Sequence, residues 1–208
     1  MRTANTKERI LIESLRLFAE KGYEAVGVVE IARAVGMKAP SLYKHYKSKR
    51  DIFESILARV SKMDTEQAKD YHMPEESMEK GAECYQNISF ETLRAYTRAM
   101  LLYWTEEEFS SCFRKLLTLE QYKSQEMGAL YQQYISGGPM GYLADVFLSL
   151  TGSEDEAQQL ALEFYGPIHL LYSLYDGGCG KERVMALLEK HMNNFFDRLD
   201  SKQKERVT

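Results

Sequence analysis

The chain has 208 residues, 44% of them hydrophobic and 28% charged, with 4 prolines, which excludes a disordered polyelectrolyte and leaves enough apolar material for a folded core. Three scattered cysteines (Cys84, Cys112, Cys179), with no C-x-x-C and no histidine in ligand spacing, argue against a disulfide framework and a structural zinc site. The net charge of −4 divides into +5 over residues 1–60 and −9 over the rest, a basic head on an acidic body that would meet a polyanion head first.

In chain order, the first expected helix covers about 7–21, amphipathic through Ile10, Leu11, Ser14, Leu17 and Phe18, and stops at Gly22. Val28, Ile31, Ala32 and Val35 give a short helix over 28–35 one buried face, and Gly36 can end it in a left-handed conformation. Pro40 suits the first turn of the next helix, 39–46. That helix carries Ser41, Tyr43, Lys44, His45 and Tyr46, with Lys47 and Lys49 after it and Leu42 packing inward. Hydroxyls, an imidazole and cations within two turns suit phosphate oxygens and base edges. A fourth helix begins near Ser48 and runs through Ile52, Phe53, Ile56, Leu57 and Val60. The domain boundary is expected near its start, with a DNA-binding domain over 1–50 and a helical body over 51–208.

The body reads as helices throughout, so the fold class is all-α. Ser89 is placed to cap a helix bearing Leu93, Thr97, Met100, Leu101 and Trp104, and Thr105/Glu108 and Ser153/Glu156 have capping-box spacing. Gly137-Gly138-Pro139 interrupts the pattern. Two helices close the chain, about 154–176 and 181–200, with Pro167 expected to bend the first. Leu160, Phe164, Ile168, Leu171 and Leu174 on one, and Val184, Leu188, Met192, Phe195 and Leu199 on the other, form stripes that fit a four-helix interface between two copies. The alternative is an ordinary core.

Large rings crowd the centre of the chain, Tyr85, Tyr96, Tyr103, Trp104 and Tyr131 among them, and buried tyrosine hydroxyls need partners. That favours a cavity with apolar walls and a few polar points. Tyr96, Met100, Trp104, Phe113, Tyr131, Tyr165 and His169 are its candidate lining, for an aromatic or cationic small molecule. Core packing is the competing role for each, and for His169 the favoured one.

Enzymatic chemistry is not expected. Gly177-Gly178-Cys179-Gly180-Lys181 resembles a phosphate loop, but Tyr175 stands where the first glycine belongs and Glu182 where Ser/Thr would hold magnesium. No cofactor or metal is implied. No apolar run reaches the ~18 residues that span a bilayer and no signal peptide opens the chain, so a cytoplasmic protein is expected.

The series Ile10-Leu11, Leu17-Phe18, Lys21-Gly22-Tyr23, Ile31-Ala32, Val35-Gly36, Ser41-Leu42-Tyr43, His45-Tyr46, Ser48-Lys49 and Ile52 is similar to the N-terminal domain of tetracycline-repressor (TetR) type regulators. The resemblance covers roughly the first 55 residues and implies a bacterial homodimer that reads a palindromic operator in double-stranded DNA and is released by a ligand in its C-terminal domain. Lys38, Ser41 and Lys44 are the candidates for base edges. The resemblance assigns Tyr43, His45, Tyr46 and Lys49 to phosphates; Tyr46 could equally pack in the core. The chain departs from the pattern at Val26, Gly27, Val29 and Lys38, where hydroxyl or basic residues are usual. Lys47, Lys49 and Arg50 are therefore expected to carry more of the affinity.

Overall fold

Four serines start helices by the same local device. Ser48, Ser89, Ser124 and Ser153 each accept, on Oγ, the N–H three residues on, at 3.1, 3.0, 3.1 and 3.5 Å. Each thereby satisfies a donor that the helix itself leaves unpaired. The computed structural model describes residues 2–73 and 88–207; Cys84 and Tyr85 lie outside them. The described helices are α1 (Arg2–Lys21), α2 (Val28–Ala34), α3 (Ala39–Leu42), α4 (Lys49–Asp70), α5 (Phe90–Thr105), α6 (Glu108–Glu120), α7 (Gln125–Ile135), α8 (Gly137–Thr151), α9 (Glu154–Leu174) and α10 (Lys181–Val207). No strand occurs among the described residues, so the fold is all-α.

Two local expectations are corrected. Thr105 does not cap α6: it remains in α5, donating to the Leu101 carbonyl at 2.7 Å, and Glu107 caps α6 by accepting from Ser110 N at the same distance. The break before α8 falls at Ser136, and Gly137-Gly138-Pro139 form that helix's first turn, where proline's missing N–H costs little.

One compact unit comprises residues 1–66 and 106–132. Here α6 packs along α1, and Ile10, Phe18, Ile31, Leu42, Phe53 and Phe113 are all buried. The grouping is not a division at residue 50, because α4 continues well past that point and α6 joins the head by long-range packing.

The other unit comprises residues 67–105 and 133–208. Its centre is Phe164, with ring centroids of Phe195, Phe196 and Phe147 at 4.8, 5.5 and 5.9 Å. Pro167 removes a donor from the middle of α9. Across from it, His191 Nε2–H of α10 donates to the Phe164 carbonyl at 2.8 Å. Arg98 of α5 grips the Glu189 carboxylate of α10 with two nitrogens, and Arg94 lies 4.5 Å over the Phe196 ring.

Candidate nucleic-acid interface

Gly27 caps α2 and Lys38 caps α3, neither with a side-chain hydrogen bond, so both starts lack the hydroxyl that a serine would supply. The turn between them closes at Gly36, whose φ of +71° suits glycine, with Met37 N donating to the Ala32 carbonyl at 2.9 Å. Helix α3 is shorter than the spacing predicts. Regular helix stops at Leu42, and Lys44 N and His45 N then close tight turns onto the Ser41 and Leu42 carbonyls. Leu42 is fully buried and so sets the orientation of its neighbours. Tyr43, 54% exposed, points outward with Lys38, Lys44 and Lys47, while Ser41 and His45 are half-buried. Ser48 and Asp51 fix the start of α4 reciprocally: Asp51 N donates to Ser48 Oγ, and Lys47 N donates to Asp51 Oδ2 at 2.8 Å. Cations and an aromatic hydroxyl on one turn can bind phosphate and base edges.

Three residues expected on the DNA are engaged within the chain. Tyr46 is 2% exposed and its hydroxyl donates to the Lys7 carbonyl at 3.3 Å, so it is core. Burial, followed by the nearby Glu8 and Asp51 charges, pushes its phenol up to about 12. Lys49 is drawn inward: its ammonium donates to the Tyr23 carbonyl at 2.9 Å and lies 4.2 Å over the Tyr23 ring. Arg50 is engaged by Glu54 and Glu126. In contrast Val29, where a basic residue was usual, is 63% exposed on α2.

Of the ten side chains expected at a dimer interface, only Leu174 faces outward. Leu160, Phe164, Ile168, Leu171, Val184, Leu188, Met192, Phe195 and Leu199 are all buried within their own chain. The outward apolar residues of α9 are Leu162, Leu170 and Leu174. They share one face of the helix, at 162, 170 and 174 with Gly166 in the intervening position, a second stripe of which only Leu174 stands among the expected residues.

Nor are the seven ligand candidates gathered in one unit. Phe113 and Tyr131 belong to the first unit, where burial raises the Tyr131 phenol and Phe113 is core. Tyr96, Met100, Trp104, Tyr165 and His169 belong to the second. There the Tyr165 hydroxyl donates to the Ile135 carbonyl at 2.7 Å and its ring stacks on His169, centroids 6.1 Å apart. Tyr96 lies 6.0 Å from Tyr71, and Trp104 is buried beside Tyr103. An open groove of about 550 Å³ is lined by His191, Asn194, Phe195, Asp197 and Arg198, none of them expected to bind a ligand.

Residues 10–56 match the family model described as bacterial regulatory proteins, tetR family. A segment of 48 residues is 42% identical to the Staphylococcus aureus biofilm operon icaADBC negative transcriptional regulator IcaR, covering 23% of this chain and 26% of that protein. Another of 51 residues is 37% identical to the transcriptional activator FasR of Mycolicibacterium smegmatis, over 24% of this chain and 23% of that one. The chain therefore aligns with only about a quarter of these relatives' length. Its fold extends further. A TetR-like regulator from Rhodococcus superposes with a TM-score of 0.67 over 94% of this chain and 96% of its own, at 17% identity. A regulator from Saccharomonospora viridis, solved with choline, gives 0.65 over 93% and 96%, at 20% identity.

Proposed function

We propose that this chain, tetR-family by its head and by its fold, is a DNA-binding transcriptional repressor that grips a palindromic operator as a homodimer and lets go when a small molecule binds. The observation that carries the reading is the outward cluster of Lys38, Tyr43, Lys44 and Lys47 within the family-matched segment. Lys38, Ser41 and Lys44 reach for base edges; Tyr43, His45 and Lys47 hold phosphates. Lys can serve the O6 and N7 acceptors of guanine, and Ser adapts to either base partner.

One short recognition segment binds weakly alone, so two copies would act on major grooves about 34 Å apart. The exposed Leu162, Leu170 and Leu174 on α9 support a two-fold interface there. The effector is proposed to be an aromatic or cationic molecule held by the ring-rich second unit, with Tyr96, Met100, Trp104, Tyr165 and His169 as candidate walls. The fold shared with a regulator solved with choline supports this class. Effector binding and DNA binding oppose each other, and each must weaken the other equally. Working on operator DNA, the protein would act in the cytoplasm.

A duplex from the DNA upstream of its own gene tests the reading. Specific binding that falls steeply with salt is expected, and a transcription reporter distinguishes repression from the activation known for the second relative. Compounds that raise the melting temperature and release the duplex identify the effector. A chain that shows no preference for any upstream duplex is not this regulator.

A further inference from the structure

Glu120, the last residue of α6, is 1% exposed and plays no part in the DNA face. Its Oε1 accepts the Tyr23 backbone N–H at 3.2 Å and the Lys123 ammonium at 2.7 Å. Tyr23 stands in the turn from α1 to α2, directly after Gly22, whose φ is +87°. A Cβ on Gly22 would strike the same Glu120 oxygen, so glycine is required there twice over. From the other side, Lys49 of α4 donates to the Tyr23 carbonyl at 2.9 Å. The Tyr23 ring is wedged between Phe18 and Phe53, each centroid 5.1 Å away. One residue of the turn is thus held through its N–H by α6, through its C=O by α4 and through its ring by both α1 and α4.

We propose that Glu120 is a positioning residue for DNA binding: with Lys49 it clamps the Tyr23 residue, so that the direction in which α2 and α3 leave α1 follows the end of α6. The inference deepens the regulator reading and rests on it. The buried carboxylate cannot withdraw without leaving the Tyr23 N–H unpaired and giving up one of its own two partners. The clamp therefore carries a displacement of α6 into the turn instead of yielding to it. Lys49 serves this geometry and not a phosphate.

The test uses the full chain, a labelled duplex from its upstream DNA, affinity across a salt series and hydrogen exchange at the Tyr23 amide. Glu120→Ala is expected to weaken duplex binding about tenfold by orphaning a part-buried donor. It leaves the salt slope unchanged, because no phosphate contact is removed, and it speeds Tyr23 exchange. Glu120→Gln, whose amide oxygen still accepts that N–H, recovers most of the affinity. Lys49→Ala weakens binding at unchanged slope, whereas Lys47→Ala makes the slope shallower by about 1. Gly22→Ala costs less in the Glu120→Ala background than in the wild type, because the collision has gone. Should Glu120→Ala fail to fold, Glu120→Gln and Lys49→Ala carry the test.

The proposal is overturned if the wild type binds the duplex and Glu120→Ala binds as tightly, or if Lys49→Ala alters the slope as a phosphate ligand would. The regulator reading survives either result. A wild type that binds no duplex removes that reading and the clamp's role with it.

Discussion

Arg50 Nη1 and Nη2 meet the two carboxylate oxygens of Glu126 at 2.8 and 2.7 Å, fastening the first turn of α4 to the first turn of α7. Arg50 also holds Glu54 one turn along its own helix at 2.9 Å. Arg16 of α1 reaches Glu108 of α6 at 2.6 Å in the same unit. A guanidinium engaged in this way fixes helices to each other and is poorly placed to serve a phosphate.

Both Arg50 and Glu126 are about half exposed, so water screens the pair. A double-mutant cycle of Arg50→Ala and Glu126→Ala, read by urea unfolding, should give a coupling of about 0.5–1 kcal/mol that shrinks with added salt. No measurable coupling at low salt would mean the pair contributes nothing to stability.

The hydrogen bond from Arg50 holds the Glu126 carboxyl below the usual carboxylate range, and Arg98 does the same for Glu189 in the second unit. A depressed folded-state pKa contributes stability that is present above the unfolded value and lost as pH falls through the folded one. Unfolding midpoints should therefore drop as pH goes from neutral to below the ordinary glutamate range. Glu126→Gln and Glu189→Gln should each flatten that drop. A flattening on the alkaline side instead would contradict the sign.

Tyr46→Phe removes a buried hydroxyl that donates to the Lys7 carbonyl and leaves the ring in place. Loss of about 0.5–1.5 kcal/mol of stability is expected, with affinity and salt slope for the duplex unchanged. Tyr43→Phe should show the converse, weaker duplex binding at unchanged stability, because its ring is exposed. Gel shifts beside thermal melts separate the two tyrosines.

Leu170 is 59% exposed, whereas Leu188 is fully buried. Leu170→Glu should turn a dimer into a folded monomer in sedimentation equilibrium and weaken duplex binding. Leu188→Ala should cost about 2–5 kcal/mol of stability through the cavity it leaves. A Leu170→Glu protein that sediments as the wild type does would place the two-fold interface elsewhere.

The sequence by itself determined what depends on near neighbours along the chain. The helix starts at Ser48, Ser89 and Ser153, the Gly36 turn, the inward Leu42 and the outward Lys38, Lys44 and Lys47 follow from local geometry and helical spacing and were legible, whereas the Ser124 cap was not read. So was the all-helical class, since no segment carried strand periodicity. Only the tertiary structure decided which partner each side chain meets. Tyr46 and Lys49 have the residue types of DNA ligands, yet one is buried under Lys7 and the other is drawn to the Tyr23 carbonyl. The inner leucine and phenylalanine stripes of α9 and α10 looked like a surface for a second copy and turned out to be this chain's own core. Periodicity says that a helix face is apolar, but not what covers it. Glu120 left no local signal at all, because its partner at Tyr23 is 97 residues away and a lone glutamate at a helix end resembles any solvated one.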